Sequence, residues 1–64
     1  MVSLIHKAQW LAVMSDARKV AFGGFFTALL YAYIKADSSN KRKIERAFAN
    51  DIEHEFNTWY KRVD

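Results

Sequence analysis

The segment AFGGFFTALLYAYI, residues 21–34, contains no charged side chain in a chain of only 64 residues. A helix that crosses a bilayer needs about 20 consecutive apolar residues. The uncharged run, which starts at Val20 and lies between Lys19 and Lys35, is shorter than that. We therefore predict that residues 16–36 form the central helix of a small bundle, and a membrane-associated protein is the alternative interpretation.

The predicted second helix has two unlike faces. Small residues recur at spacings of four, three, four and four: Ala17, Ala21, Gly24, Ala28 and Ala32. The bulky residues of the same segment are Phe22, Phe25, Phe26, Leu29, Leu30 and Tyr33. Glycine inside a helix costs about 1 kcal/mol relative to alanine. We expect close packing of the smooth face against a neighbouring helix to offset that cost.

Amphipathic helices are predicted on both sides of this segment. In residues 3–14 the apolar face consists of Leu4, Ile5, Ala8, Leu11 and Ala12, at helical spacing. Its register breaks near Ser15 and Asp16, either of which can cap a new helix. In the alternative, one helix covers residues 3–22 and is broken at Gly23–Gly24.

After the turn-forming residues 37–40, residues 40–62 form the third helix. Its apolar stripe is Ile44, Phe48, Ile52, Phe56, Trp59 and Val63.

The composition predicts a single all-α domain, residues 1–64, with a three-helix bundle fold. The chain has no Cys, no Pro and two Gly, which favours helix and excludes disulfides and thiolate metal sites. Apolar residues make up 52% of it. Because so short a chain cannot bury all of them, we expect self-association or a partner to complete the core. His6 and Lys7 interrupt any signal-peptide run, so we expect an intracellular, cytoplasmic protein.

Signals of catalysis are weak, and we expect a protein that is not an enzyme and binds no cofactor. The serines fall at predicted helix ends, where capping explains them. The segment FGGFF lacks the Lys-Ser/Thr ending of a phosphate loop. In DIEHEF, residues 51–56, the ligand types Asp51, His54 and Glu55 are too few for a metal site of the kind built between bundle helices.

A basic cluster opens the predicted third helix. It consists of Lys41, Arg42, Lys43 and Arg46, of which the first three fall in the predicted first turn. Free N–H groups at a helix N-terminus, together with cations, favour an anion. The cluster is therefore a candidate contact for phosphate or for an acidic protein surface, with a merely solvated face as the alternative. The acidic residues that follow, in 51–55, favour a protein over a nucleic acid.

Several aromatic residues are candidate partner contacts. Trp10 and His6 lie off the main apolar face of the first helix, and tryptophan is enriched in interface hot spots. Trp59 and Tyr60 near the chain end, and Tyr31 at the edge of the small-residue face, are further candidates. We therefore predict a non-catalytic interaction module that occludes a larger protein, as phage- or plasmid-type inhibitors do, and that forms a homodimer. Nucleic-acid binding through the basic cluster is the alternative.

Overall fold

The protein is a bundle of three α-helices joined by short connections. The computed structural model describes residues 3–18, 20 and 22–63, with side chains as far as Lys61. The helices are α1 (Leu4–Asp16), α2 (Gly24–Lys35) and α3 (Ser38–Val63). No strand occurs within these residues. The predicted all-α three-helix bundle is confirmed.

Helix α1 begins at a serine cap and ends where the apolar pattern ends. The Ser3 side chain accepts a hydrogen bond from the backbone N–H of His6. The predicted apolar face is confirmed, with Ala8, Leu11 and Ala12 buried. Arg18 then adopts a positive φ of 59°, a left-handed conformation that is uncommon for residues other than glycine. This turn reverses the chain, so the prediction of a new helix starting near Asp16 is wrong.

Helix α2 is shorter than predicted and starts at the glycine pair. Of the predicted span 16–36, only Gly24–Lys35 is helical as α2. Each glycine in a helix interior costs roughly 0.5–1 kcal/mol relative to alanine, so a helix boundary at this pair is favoured. The alternative of one helix over 3–22 places the break correctly but extends the first helix too far. Buried Val20 anchors the connection between α1 and α2 to the protein interior.

The bulky face of α2 is buried over its second half, and the small-residue face lies in water. Leu29, Leu30 and Tyr33 are buried. The small residues within the described part are all exposed, namely Ala17, Gly24, Ala28 and Ala32, and Ala21 lies outside the described residues. A Cβ atom added to Gly24 would meet no other atom within 4 Å. The prediction of close packing on this face is therefore wrong. Burying the larger side chains removes more apolar surface from water, at roughly 25 cal/mol per Å².

The central helix is α1, not the second helix as predicted. Helix α1 packs against both other helices, while α2 and α3 contact each other much less. Ala8 and Ala12 of α1 are both buried, and their small side chains allow neighbours to approach on two sides. Because α2 and α3 are held mainly through α1, a gap remains between them.

Helix α3 begins two residues earlier than predicted. Asp37 caps it, since the backbone N–H of Asn40 donates to Asp37 Oδ1 at 2.9 Å. The apolar stripe is confirmed as far as the side chains are described. Ile52 is fully buried, and the partly buried members that pack on the core are Ile44, Phe48, Phe56 and Trp59. The side chain of Val63 lies outside the described residues.

Gly23→Ser is expected to raise the free energy of unfolding by about 0.5–1 kcal/mol. Gly23 is the N-cap residue of α2 with φ −65° and ψ 160°, and no side chain caps this end. Ser3, which caps α1, has nearly the same angles of −71° and 160°. Serine at Gly23 can therefore accept the same kind of hydrogen bond, and it restricts the unfolded chain more than glycine does. Urea denaturation measures the change. Gly23→Ala is the control, and a Ser variant no more stable than the Ala variant would show that no cap forms.

Candidate functional site

An open groove of about 380 Å³ lies between the start of α2 and the middle of α3. It occupies the gap that the limited contact between these two helices leaves. Its lining residues are Phe22, Gly23, Phe25, Phe26, Phe48, Asp51, His54 and Glu55. The groove therefore combines an aromatic floor with one polar wall contributed by α3.

Ring-to-ring contacts hold the phenylalanines in place. The rings of Phe22 and Phe26 meet edge to face with centroids 5.0 Å apart. Phe25 reaches across to Phe48, with ring centroids 5.8 Å apart. Phe25 nevertheless remains 69% exposed, although its neighbours Phe26 and Phe48 are partly buried. So exposed an aromatic ring is a candidate contact for another molecule.

Glycine leaves one end of the groove open. Gly23 lines it, and a Cβ atom built there would meet nothing within 4 Å. Its φ of −65° is one that any residue adopts. The backbone does not demand glycine at this position, so what the missing side chain provides is space at the mouth of the groove.

The polar wall carries negative charge. Asp51 is exposed and has no partner among the described residues. Glu55 accepts a hydrogen bond from Trp59 Nε1 at 3.3 Å. His54 is the third polar residue, and no lysine or arginine lines the groove. The chain as a whole has a net charge of +3, so the groove is an acidic site on a basic protein.

The polar residues of the groove are two carboxylates and one histidine. The lining contains no serine, threonine, cysteine or lysine, while Asp51, His54 and Glu55 are of types that also occur in catalytic sites. Searches for similar proteins returned no matching family model, curated protein or solved structure.

Within the described residues, no group of three or more His, Cys, Asp or Glu side chains could hold a metal ion. No helix in that same part of the chain combines the length and apolarity that crossing a membrane requires.

The predicted partner residues do not form one surface. Trp10 and Tyr60 come together on the α1–α3 side, where the Trp10 ring lies 5.3 Å from Phe56 and 5.5 Å from Tyr60. Trp10 is partly buried against the core, whereas Tyr60 is 45% exposed. Trp59 lies beside the groove, with its ring 6.4 Å from that of Phe22. Trp10 and Trp59 therefore have packing roles, and their roles in binding stay predictions.

Tyr31 and His6 take part in local hydrogen bonds elsewhere. The Tyr31 hydroxyl donates to Asp16 at the end of α1 and so ties α2 to it. This hydrogen bond, with burial and the Asp16 charge as smaller causes, raises the pKa of Tyr31 above its ordinary value. His6 Nδ1 lies 3.0 Å from Ser3 Oγ, within hydrogen-bonding distance. Both residues thus help to define the ends of α1, and their predicted contacts with a partner stay predictions.

The basic cluster lies further from the start of α3 than predicted. Lys41 is the fourth residue of the helix, Arg42 and Lys43 lie in the second turn, and Arg46 lies in the third. Because α3 starts at Ser38, the Lys41 N–H already bonds to the Asp37 carbonyl at 2.8 Å. The Asp37 carboxylate also occupies the helix N-terminus, where an external anion was expected to bind. Three of the four cations, Arg42, Lys43 and Arg46, are exposed, and none of the four pairs with a described carboxylate. Arg46 follows Arg42 by four residues and Lys43 by three, so these three exposed cations lie on one side of α3.

The phenylalanines of the groove were not predicted to form a site. They come from two helices and a connection, so no single periodic pattern unites them. The available signal was FGGFF itself, which places three aromatic rings around two residues without side chains. That local pattern indicates an exposed aromatic surface once the helix is known to begin at Gly24.

Proposed function

We propose that the protein is a small non-catalytic interaction module that binds a segment of a larger protein in the groove between α2 and α3. The observation that carries this proposal is the 69% exposure of Phe25 above a floor of other phenylalanines. Covering such a surface removes apolar area from water, which favours association. By seating a segment of the partner there, the module would occlude it, as inhibitors of phage or plasmid type do.

The shape of the groove supports a segment of chain as its occupant. Pockets for small ligands bury most of the ligand surface. This groove is open, with Gly23, Phe25 and His54 all exposed along it. A helix lying in an apolar groove is a recurring mode of protein recognition and does not need an enclosed cavity. Aromatic residues are also enriched at the centres of such interfaces.

Nucleic-acid binding through the basic cluster has less support. Although Arg42, Lys43 and Arg46 share one side of α3, the helix N-terminus near them is already capped by Asp37. No described aromatic ring packs on Arg42, Lys43 or Arg46. Base-stacking platforms that accompany cations in single-strand binders are thus missing from this part of the described surface.

Phe25→Ser is expected to abolish capture of the partner while the bundle stays folded. Phe25 is largely exposed, so its removal takes little from the core. The immobilised protein would be incubated with lysate of the cells that naturally make it, and bound proteins quantified by mass spectrometry. Circular dichroism would verify that the variant keeps its helices. The expected result is a protein retained by the wild type and lost with Phe25→Ser.

Val13→Ser is the matched control for this experiment. Val13 is also an exposed apolar residue, at 58%, but it belongs to α1 and does not line the groove. It should leave capture unchanged if the groove is the binding site. Equal retention of the same proteins by the wild type and Phe25→Ser would contradict the proposal.

A further inference from the structure

We infer that the groove takes a cationic amphipathic segment, in which a large apolar side chain is flanked by lysine or arginine. This inference rests on the proposed function and specifies the chemistry of the partner. The groove offers four phenylalanine rings to the apolar side chain of the segment, those of Phe22, Phe25, Phe26 and Phe48. The α3 wall supplies the carboxylates of Asp51 and Glu55 for the flanking cations.

Charge complementarity carries the inference. No lysine or arginine lines the groove, so its two carboxylates have no permanently charged cation among the lining residues, of which His54 is the one basic member. The third carboxylate of this stretch, Glu53, points elsewhere and pairs with Lys7 at 3.3 Å. Asp51, by contrast, has no partner among the described residues. Complementary charges at a rim select the partner and speed its association, and like charges reject it.

A second copy of this chain fits the groove less well. The exposed cations near the start of its α3 are Arg42, Lys43 and Arg46, which lie close to the small side chains of Ala47 and Ala49. The large apolar residue among them, Ile44, is partly buried against the core of its own bundle. At the other end of α3, Lys61 lies beside the 45% exposed Tyr60, whose ring stacks on Phe56 of its own bundle. A foreign segment that carries a cation beside a free apolar side chain is the better occupant.

Selection from a random peptide library tests the inference even while the partner is unidentified. Peptides displayed on phage would be selected on the wild-type protein, and the selected peptides would then be tested for binding to Gly23→Leu. This variant places a side chain at the open end of the groove, where a Cβ atom meets nothing within 4 Å. We expect the selected peptides to combine aromatic or aliphatic residues with lysine or arginine and to be depleted in acidic residues.

Single-charge variants locate the cation contact on the best selected peptide. Asp51→Asn is expected to weaken its binding about two- to fivefold, the size of an exposed ion pair, and added salt should reduce the difference. Glu53→Gln is the matched control, because it removes one negative charge from the same helix outside the groove. It should leave the affinity unchanged. Replacing the peptide's cations with glutamate should weaken binding at least about tenfold.

The outcomes separate this inference from the proposed function. Groove-dependent peptides without an excess of cations would overturn the inference and leave the groove as a protein-binding site. Peptides that bind the wild type and Gly23→Leu equally well would overturn both. Sedimentation of the wild type and Phe25→Ser completes the test. A wild-type dimer that Phe25→Ser converts to monomer would assign the groove to a second copy and overturn the cationic segment.

Discussion

Leu11→Ala is expected to leave most of the protein unfolded at room temperature. Leu11 is fully buried on α1, the helix that holds both others. Truncating a buried leucine to alanine typically costs about 2–5 kcal/mol, because apolar contacts are lost and a cavity remains. A core of this size rarely supplies more than about 3–5 kcal/mol of net stability. Circular dichroism during urea denaturation should show little or no cooperative transition for the variant.

Val13→Ala provides the control on the same helix. Val13 lies two residues further along α1 but is 58% exposed. Removing its methyl groups should change the free energy of unfolding by no more than about 0.5 kcal/mol. If Leu11→Ala unfolded at the same urea concentration as the wild type, α1 would not be the central helix of the bundle.

The helix faces could be predicted from the sequence because burial imposes a period on it. Leu11 and Ile52 both belong to predicted apolar stripes, and both are fully buried. A helix repeats every 3.6 residues, so any helix that buries one side must carry this pattern. The pattern holds within one helix and does not depend on which neighbours cover it.

The end of α1 was harder to predict because the same residue types mark different helix ends. Ser15 and Asp16 are good capping residues, and the prediction used them to start a second helix. Both residues lie at the end of α1, where Asp16 accepts a hydrogen bond from the Tyr31 hydroxyl rather than capping a new helix. The left-handed Arg18 that follows has no sequence signal, since glycine or asparagine is the usual residue there.

The arrangement of the helices, and with it the groove, depends on tertiary packing. Two unlike faces of α2 were predicted, but the pattern alone does not say which face is covered. Leu29, Leu30 and Tyr33 are buried because larger side chains remove more surface from water, and the alanines remain outside. Helix α2 thus packs mainly on α1, and the gap beside Phe48 lies between α2 and α3. The amphipathic patterns of three helices do not determine which two helices will have the smallest contact with each other.

Above about pH 10 the wild-type protein is expected to lose stability more steeply than Tyr33→Phe. Tyr33 is fully buried, and its hydroxyl donates to the partly buried Glu45. Burial raises the pKa of Tyr33 well above its ordinary value of 10, and the hydrogen bond and negative charge of Glu45 raise it further. In the unfolded chain this tyrosine loses its proton near pH 10, whereas in the folded protein it keeps it. The proton therefore stabilises the folded state fully below pH 10, and that contribution declines as the pH rises above it.

Urea denaturation at pH 7 and at several values between about 9.5 and 11.5 tests this expectation. The single proton adds a slope of up to about 1.4 kcal/mol per pH unit to the loss of stability, and Tyr33→Phe lacks this slope. At pH 7 the variant should already be less stable by about 1–3 kcal/mol, because Glu45 loses its buried donor. Tyr60→Phe is the control, since Tyr60 is 45% exposed and its hydroxyl has no hydrogen-bond partner among the described residues. Parallel curves for the wild type and Tyr33→Phe above pH 10 would mean that the buried hydroxyl can lose its proton without opening the bundle. The contact between α2 and α3 at Glu45 would then be loose rather than a fixed part of the core.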